Sequence, residues 1–150
     1  MNAAKPARRR LLLLGTGLAL LAMAGPAAAL AAPEARAVRA VVEAQLRAMA
    51  DGDAERAFSY AAPAIRAQFG DARRFMAMVA GSYPMVIRPA ATVFFQPTQD
   101  AGGEVLQVVQ LRDAAGKRWR ASYLLARQPD GAWRVAGCVV APETAAANTI

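Results

Sequence analysis

Apolar positions repeat along the chain with two different periods, and the change of period divides it into a helical half and a strand half. From Glu34 to Ala50, Val38, Val41, Val42, Leu46 and Met49 fall at helical spacing and form one apolar stripe. Gly52 is placed to end that helix and Asp53 to cap the next, in which Ala54, Ala57, Phe58 and Ala61 keep the period. Pro63 forces a break, after which Ile65 and Phe69 fit a short helical turn ended by Gly70. Asp71 caps a further helix with Phe75, Met78 and Val79 facing inward, and Gly81-Ser82-Tyr83-Pro84 closes the helical half.

After residue 85 the period becomes two. Val86-Ile87 and Thr92 to Gln96 are β-branched, apolar or aromatic, interrupted by Pro89; Val105 to Arg112, Arg118 to Arg127 and Ala132 to Val140 are clearer strands. Asp113-Ala-Ala-Gly116 and Pro129-Asp130-Gly131 read as hairpin turns. Helices followed by an antiparallel meander define an α+β class, with the N-terminal helices packed on a sheet of four or more strands.

A three-residue loop with a left-handed glycine, Gly116 in one turn and Gly131 in the other, fixes the pairing. Leu111 then faces Trp119, Val109 faces Ala121, Gln107 faces Tyr123 and Val105 faces Leu125. Leu125 in turn faces Val135, and Tyr123 faces Gly137. Val105, Val109, Leu111, Trp119, Leu125, Trp133, Val135 and Val139 share the face toward the helices. Arg118, Arg120, Ser122, Arg134 and Cys138 take the other. A slip of one residue would set Leu111 against Arg118 and Leu125 against Arg134, against the burial pattern.

Ahead of this domain the chain carries Lys5, Arg8, Arg9 and Arg10, then 14 uncharged residues from Leu11 to Ala24, then Gly25-Pro26 and an alanine-rich run. That order is a signal-peptide pattern, and its apolar stretch is shorter than the roughly 20 residues of a membrane span. The reading is a signal over residues 1–31 cleaved after Ala29 or Ala31, a domain over 34–142 and a flexible tail over 143–150. The expected location is the periplasm or the exterior, with no membrane span once the signal is removed. The net charge of +7 falls to +3 over residues 33–150, 14 basic against 11 acidic, which is too mild and scattered for nucleic acid. Cys138 is the single cysteine, so an internal disulfide is impossible.

The chain has no histidine, which removes the commonest general base and metal ligand together with Ser-His and Cys-His nucleophile pairs. The carboxylates fall at caps, turns and helix ends, off the α-helical stripe (Glu43), at a strand opening (Glu104) or in the tail (Glu143), and none falls on the inferred core face. No metal-loop spacing and no Gly-rich phosphate motif occurs. No catalytic residue, metal or cofactor is therefore expected.

Two polar residues do stand on the core face, Gln107 and Tyr123, opposite each other. One reading is a ligand pocket between sheet and helices, with Gln107 and Tyr123 as polar contacts and Phe58, Phe75, Met78 and Met49 as apolar walls. Arg66, between Ile65 and Phe69, is the arginine placed nearest this aromatic cluster. The competing reading is a filled core in which Gln107 and the Tyr123 hydroxyl bond each other. Arg118, Arg120 and Arg134 on the outer sheet face offer a basic surface for acidic partners or anionic lipid headgroups, or for dimerisation.

Ala57-Phe-Ser-Tyr-Ala-Ala-Pro-Ala-Ile-Arg-Ala-Gln-Phe-Gly70, Tyr83-Pro-Met-Val-Ile-Arg-Pro89 and Asp130-Gly-Ala-Trp-Arg-Val-Ala-Gly-Cys138 resemble a family of short exported proteobacterial proteins known only as a domain of unknown function. The resemblance runs from about residue 37 to 141 and implies no activity. More distantly, helices followed by a meander ending in Asp-Gly-x-Trp-Arg-Val resemble the cone fold of nuclear transport factor 2 and ketosteroid isomerase. That likeness implies an interior that can hold a ligand. Enzymes of that superfamily place an acid or base in the cone, and no such residue falls on the inward positions inferred for this chain. The expectation is a non-catalytic exported domain binding a small apolar ligand or an envelope protein. The alternative is a His-less isomerase or hydrolase-like enzyme using Tyr123 and Gln107.

Overall fold

The computed structural model describes residues 27–144. The basic and apolar parts of the expected leader and the end of the tail lie outside the described residues. Helix α1 spans Ala32–Ala50, α2 Ala54–Ser59, α3 Pro63–Phe69 and α4 Ala72–Ser82. The caps are those the sequence places: the Asp53 Oδ1 accepts from the Arg56 N–H at 3.1 Å, and the Asp71 Oδ1 from the Arg74 N–H at 2.8 Å. Pro63 opens α3 at a position where its missing N–H costs nothing.

The strands are β1 (Ala28–Ala29), β2 (Ala91–Phe94), β3 (Thr98–Gln99), β4 (Val105–Arg112), β5 (Arg118–Arg127) and β6 (Trp133–Pro142), joined in one antiparallel sheet. This is an α+β fold, helices on one face of a meander. Along one side of β4, β2 pairs the C-terminal half and β3 the N-terminal half, so the two are pieces of one interrupted edge strand. Val86 belongs to a 3-10 turn over Pro84–Val86 rather than to a first strand, because two prolines flank a stretch too short to extend. The Arg88 Nε, just past that turn, donates to the Ala50 carbonyl at the exposed end of α1, 2.9 Å away. Ala28 and Ala29 pair with Gln99 and Thr98, and Leu30 joins the core, so the end of the expected leader takes part in the fold.

Gly116 and Gly131 stand at φ of +83° and +85°, closing both hairpins as three-residue loops. The β4–β5 register follows from this and agrees at every position: Val105↔Leu125, Gln107↔Tyr123, Val109↔Ala121 and Leu111↔Trp119. The β5–β6 register agrees as far as Leu125↔Val135 and then departs. Ala136 is an extra residue, a β-bulge, after which Leu124 pairs Gly137, Tyr123 pairs Cys138 and Ser122 pairs Val139. Three expectations are corrected by that one insertion. Cys138, not Gly137, stands beside Tyr123. Gly137 lies across from Leu124, on the outer face. Val139 points outward, 68% exposed.

The core lies between α1, α2, α4 and the inner sheet face. Val38, Val42, Val105, Val109, Leu111 and Leu125 are wholly buried there. Both tryptophans face the helices, and both indole N–H groups meet a carboxylate: Trp133 Nε1 donates to Glu34 Oε2 at 3.0 Å and Trp119 Nε1 to Asp113 Oδ2 at 2.9 Å. Arg127 completes the first pair from 3.4 Å. The indole contact holds the Asp113 carboxyl below its ordinary range.

Candidate functional site

The helices do not close fully on the sheet. Between α3, α4 and the bulged part of β6 lies a cavity of about 540 Å³, within the size range of small-molecule sites. Its walls come from Met49 of α1, Ile65 and Phe69 of α3, and Phe75, Met78 and Val79 of α4. Phe75 organises the aromatic side, with its ring centroid 5.4 Å from that of Phe58 and 5.7 Å, edge-on, from that of Phe69. The floor is Tyr123 and the segment from Val135 to Cys138. Tyr60 and Ala62, joining α2 to α3, clamp that segment: Val135 N–H donates to the Tyr60 carbonyl and the Ala62 N–H to the Val135 carbonyl, each at 2.8 Å. The clamp holds β6 in place one residue before the bulge bends it, and the bend forms part of the cavity floor.

The polar groups are few and uncharged. Tyr123 and Gln45 are each 3% exposed, and both line the cavity. Gln45 Nε2 donates to the Ala57 carbonyl at 3.1 Å, tying α1 to α2. Gln68, Ser82 and Tyr83 complete the rim. Tyr123 lies against Cys138. Burial, then the thiol beside it, raise the phenol well above its ordinary value. The Cys138 thiol is reachable through the cavity mouth yet surrounded by protein on most sides; burial pushes it from 9.0 to about 12, against a smaller lowering by the Tyr123 hydrogen bond.

Both shifts favour the neutral acid in the fold, so the stability they contribute is whole below pH 9 and is lost as pH rises from 9 toward 12. The unfolding midpoint is expected to fall across that window, and Cys138→Ala to flatten part of the slope. At pH 8 iodoacetamide should alkylate Cys138 at least about tenfold more slowly in the folded protein than in urea. Equal rates would place the thiol outside the cavity wall.

Of the residues singled out in the sequence, Tyr123, Phe75 and Met78 line the cavity together with Met49. Phe58 stands behind Phe75 in the core. Arg66 is outside, its guanidinium over the Phe58 ring at 5.6 Å. Gln107 is fully buried but does not line the cavity, and its amide is committed elsewhere. Nε2 donates to the Phe95 carbonyl at 2.7 Å and to the Val108 carbonyl at 2.9 Å, bridging the break between β2 and β3. Its Oε1 has no partner, and the two carbonyls prevent the amide from turning over to find one. The expected bond between Gln107 and Tyr123 is replaced by these contacts.

Six of the eleven carboxylates hold caps, turns or indoles. Asp53 and Asp71 cap helices, Asp100 and Asp130 accept backbone N–H groups in turns, Asp113 does so and also holds Trp119, and Glu34 holds Trp133. No charged side chain is among the residues lining the cavity. Among the described residues, no cluster of three or more His, Cys, Asp or Glu is placed to hold a metal ion, and no helix is long and apolar enough to cross a membrane.

These features define a small α+β domain with an apolar, uncharged cavity between its helices and its sheet. The chain belongs to the DUF4864 family, a domain of unknown function, which matches residues 31–148. No curated protein and no solved structure matches it.

Proposed function

We propose that this is an exported, non-catalytic domain that holds a small apolar ligand in the cavity beneath α3 and α4. The observation that carries the reading is the composition of the cavity: Met49, Ile65, Phe69, Phe75 and Met78 around a floor that contains Tyr123 and no carboxylate. Apolar walls with one or two convergent polar groups are the mark of a binding pocket. Methionine on two sides adapts to the shape of what it holds. A His-less enzyme would need a carboxylate within reach of Tyr123, and Gln107 would have to enter the cavity rather than bridge Phe95 and Val108. The order of helices and meander supports kinship with the nuclear transport factor 2 cone, and the basic-then-apolar leader supports export to the periplasm or beyond. A protein partner or second copy would meet the outer sheet face, where Leu106, Leu124 and Val139 are exposed near Arg118 and Arg120.

Native mass spectrometry of the processed protein from its own envelope tests the reading. A small-molecule adduct released on unfolding, together with an N-terminus inside the alanine-rich run, is the expected result. A protein that carries no adduct, and whose unfolding midpoint no apolar compound raises, would overturn it.

A further inference from the structure

We infer that the ligand is uncharged and enters oxygen-first, with a hydroxyl or carbonyl directed at Tyr123 and Gln45 and a hydrocarbon body against Phe69, Phe75 and Met78. The inference rests on the cavity being a ligand site and adds the chemical class. Two observations converge on it.

First, all the side chains lining the cavity are neutral. Arg66, on the aromatic side, is spent outside on the face of Phe58. An ionised ligand head carried inward would meet no counter-charge, and burying an unpaired ion is far costlier than burying a neutral oxygen.

Second, two of the polar side chains are more than nine-tenths buried and both line the same space. Tyr123 faces a thiol, a weak partner, and remains protonated over the whole physiological range, so it is a standing O–H donor. Gln45 has given its Nε2 to the Ala57 carbonyl, and a carbonyl on that side fixes which way the amide points. What Gln45 offers the cavity is therefore the Oε1 acceptor. A hydroxyl satisfies donor and acceptor together; a ketone or ester carbonyl satisfies the donor. The volume of about 540 Å³ admits a body on the order of 15–20 non-hydrogen atoms at about 30 Å³ each. A medium-chain alcohol, ester or ketone fits that description.

The test is a charge series on one chain length: 1-dodecanol below its solubility limit, and dodecanoate and dodecylammonium below their micelle concentrations, titrated against the full processed protein at pH 8 by calorimetry. Dodecanol is expected to bind at least about tenfold tighter than either ion. Dodecanoate affinity should rise toward tenfold per unit as the pH falls from 8 to 6, because only the protonated acid enters. Tyr123→Phe, which keeps the ring and the packing, should weaken dodecanol about five- to tenfold, the worth of one hydrogen bond, and leave the unfolding midpoint of the free protein within a few degrees. If dodecanoate or dodecylammonium matches dodecanol, or if Tyr123→Phe binds dodecanol unchanged, the head stays in water and the inference fails while the cavity remains a binding site. If none of the three binds, the binding reading falls with it.

Discussion

Leu125→Ala should lower the unfolding free energy by about 3–5 kcal/mol, a large share of the roughly 5–15 kcal/mol that holds such a domain together. Leu125 is wholly buried and sits mid-sheet, with Val105 opposite on β4 and Val135 opposite on β6. The cost of truncating a leucine depends on how far its surroundings can relax into the gap. Here they relax little. Val135 is tied through both its N–H and its carbonyl to Tyr60 and Ala62, and the bulge begins at the next residue. Leu124→Ala is the matched control. Its side chain is 40% exposed on the outer face, and its loss should cost less than about 1 kcal/mol. Urea titration of both variants decides the matter, with the midpoint moving and the slope unchanged. Similar losses in the two would mean that the faces of β5 have been assigned the wrong way round.

That contrast is legible in the sequence, and the reason is local. Gly116 and Gly131 each close a turn whose geometry sets the pairing of the strands on either side. Alternation of Val105, Gln107, Val109 and Leu111 then chooses the buried face, since a one-residue slip would bury Arg118. Asp53 and Asp71 were legible as caps for a similar reason: an Asx side chain ahead of an apolar helical stripe has a defined N–H to satisfy. The short pieces were not legible. β1 and β3 are two residues each and owe their existence to pairing with each other and with β4, not to any propensity of Ala28-Ala29 or Thr98-Gln99.

The cavity was legible in part. Tyr123 is legible because the register puts a polar group among apolar ones. Gln45 carries the same signal, lying on the α1 stripe three residues after Val42 and four before Met49, a polar residue where the helix is buried, yet a single glutamine on a helix reads as surface. Gln107 carried the same signal but answers a different need, the carbonyl left bare where the edge strand breaks at Phe95. Burial alone therefore does not separate a cavity-lining amide from one that patches a sheet. The alternation in β6 points Cys138 to the outer face, and the structure turns it inward, because a bulge at Ala136 leaves no mark in the sequence. Alanine is indifferent to it, and Val139 and Val140 are equally good on either face.

Deleting Ala136 tests what that bulge is for. Without it Leu125↔Val135, Leu124↔Gly137 and Tyr123↔Cys138 become three consecutive steps of a regular ladder, so every pairing on both sides of the deletion survives. The domain should fold, with an unchanged far-UV circular dichroism spectrum and Cys138 still slow to alkylate. A regular strand is straighter and less twisted than a bulged one. The span from Val135 to Cys138 would flatten toward α3 and α4, and the floor it supplies to the cavity would rise into the space. Dodecanol binding should therefore weaken at least about thirtyfold, roughly 2 kcal/mol. Retained affinity would mean that the curvature comes from the clamp by Tyr60 and Ala62, not from the extra residue. Rapid alkylation would mean that the strand has slipped and turned Cys138 outward. The expected combination, a closed cavity with a silent thiol, follows if the bulge's work is to bend β6 away from the helices.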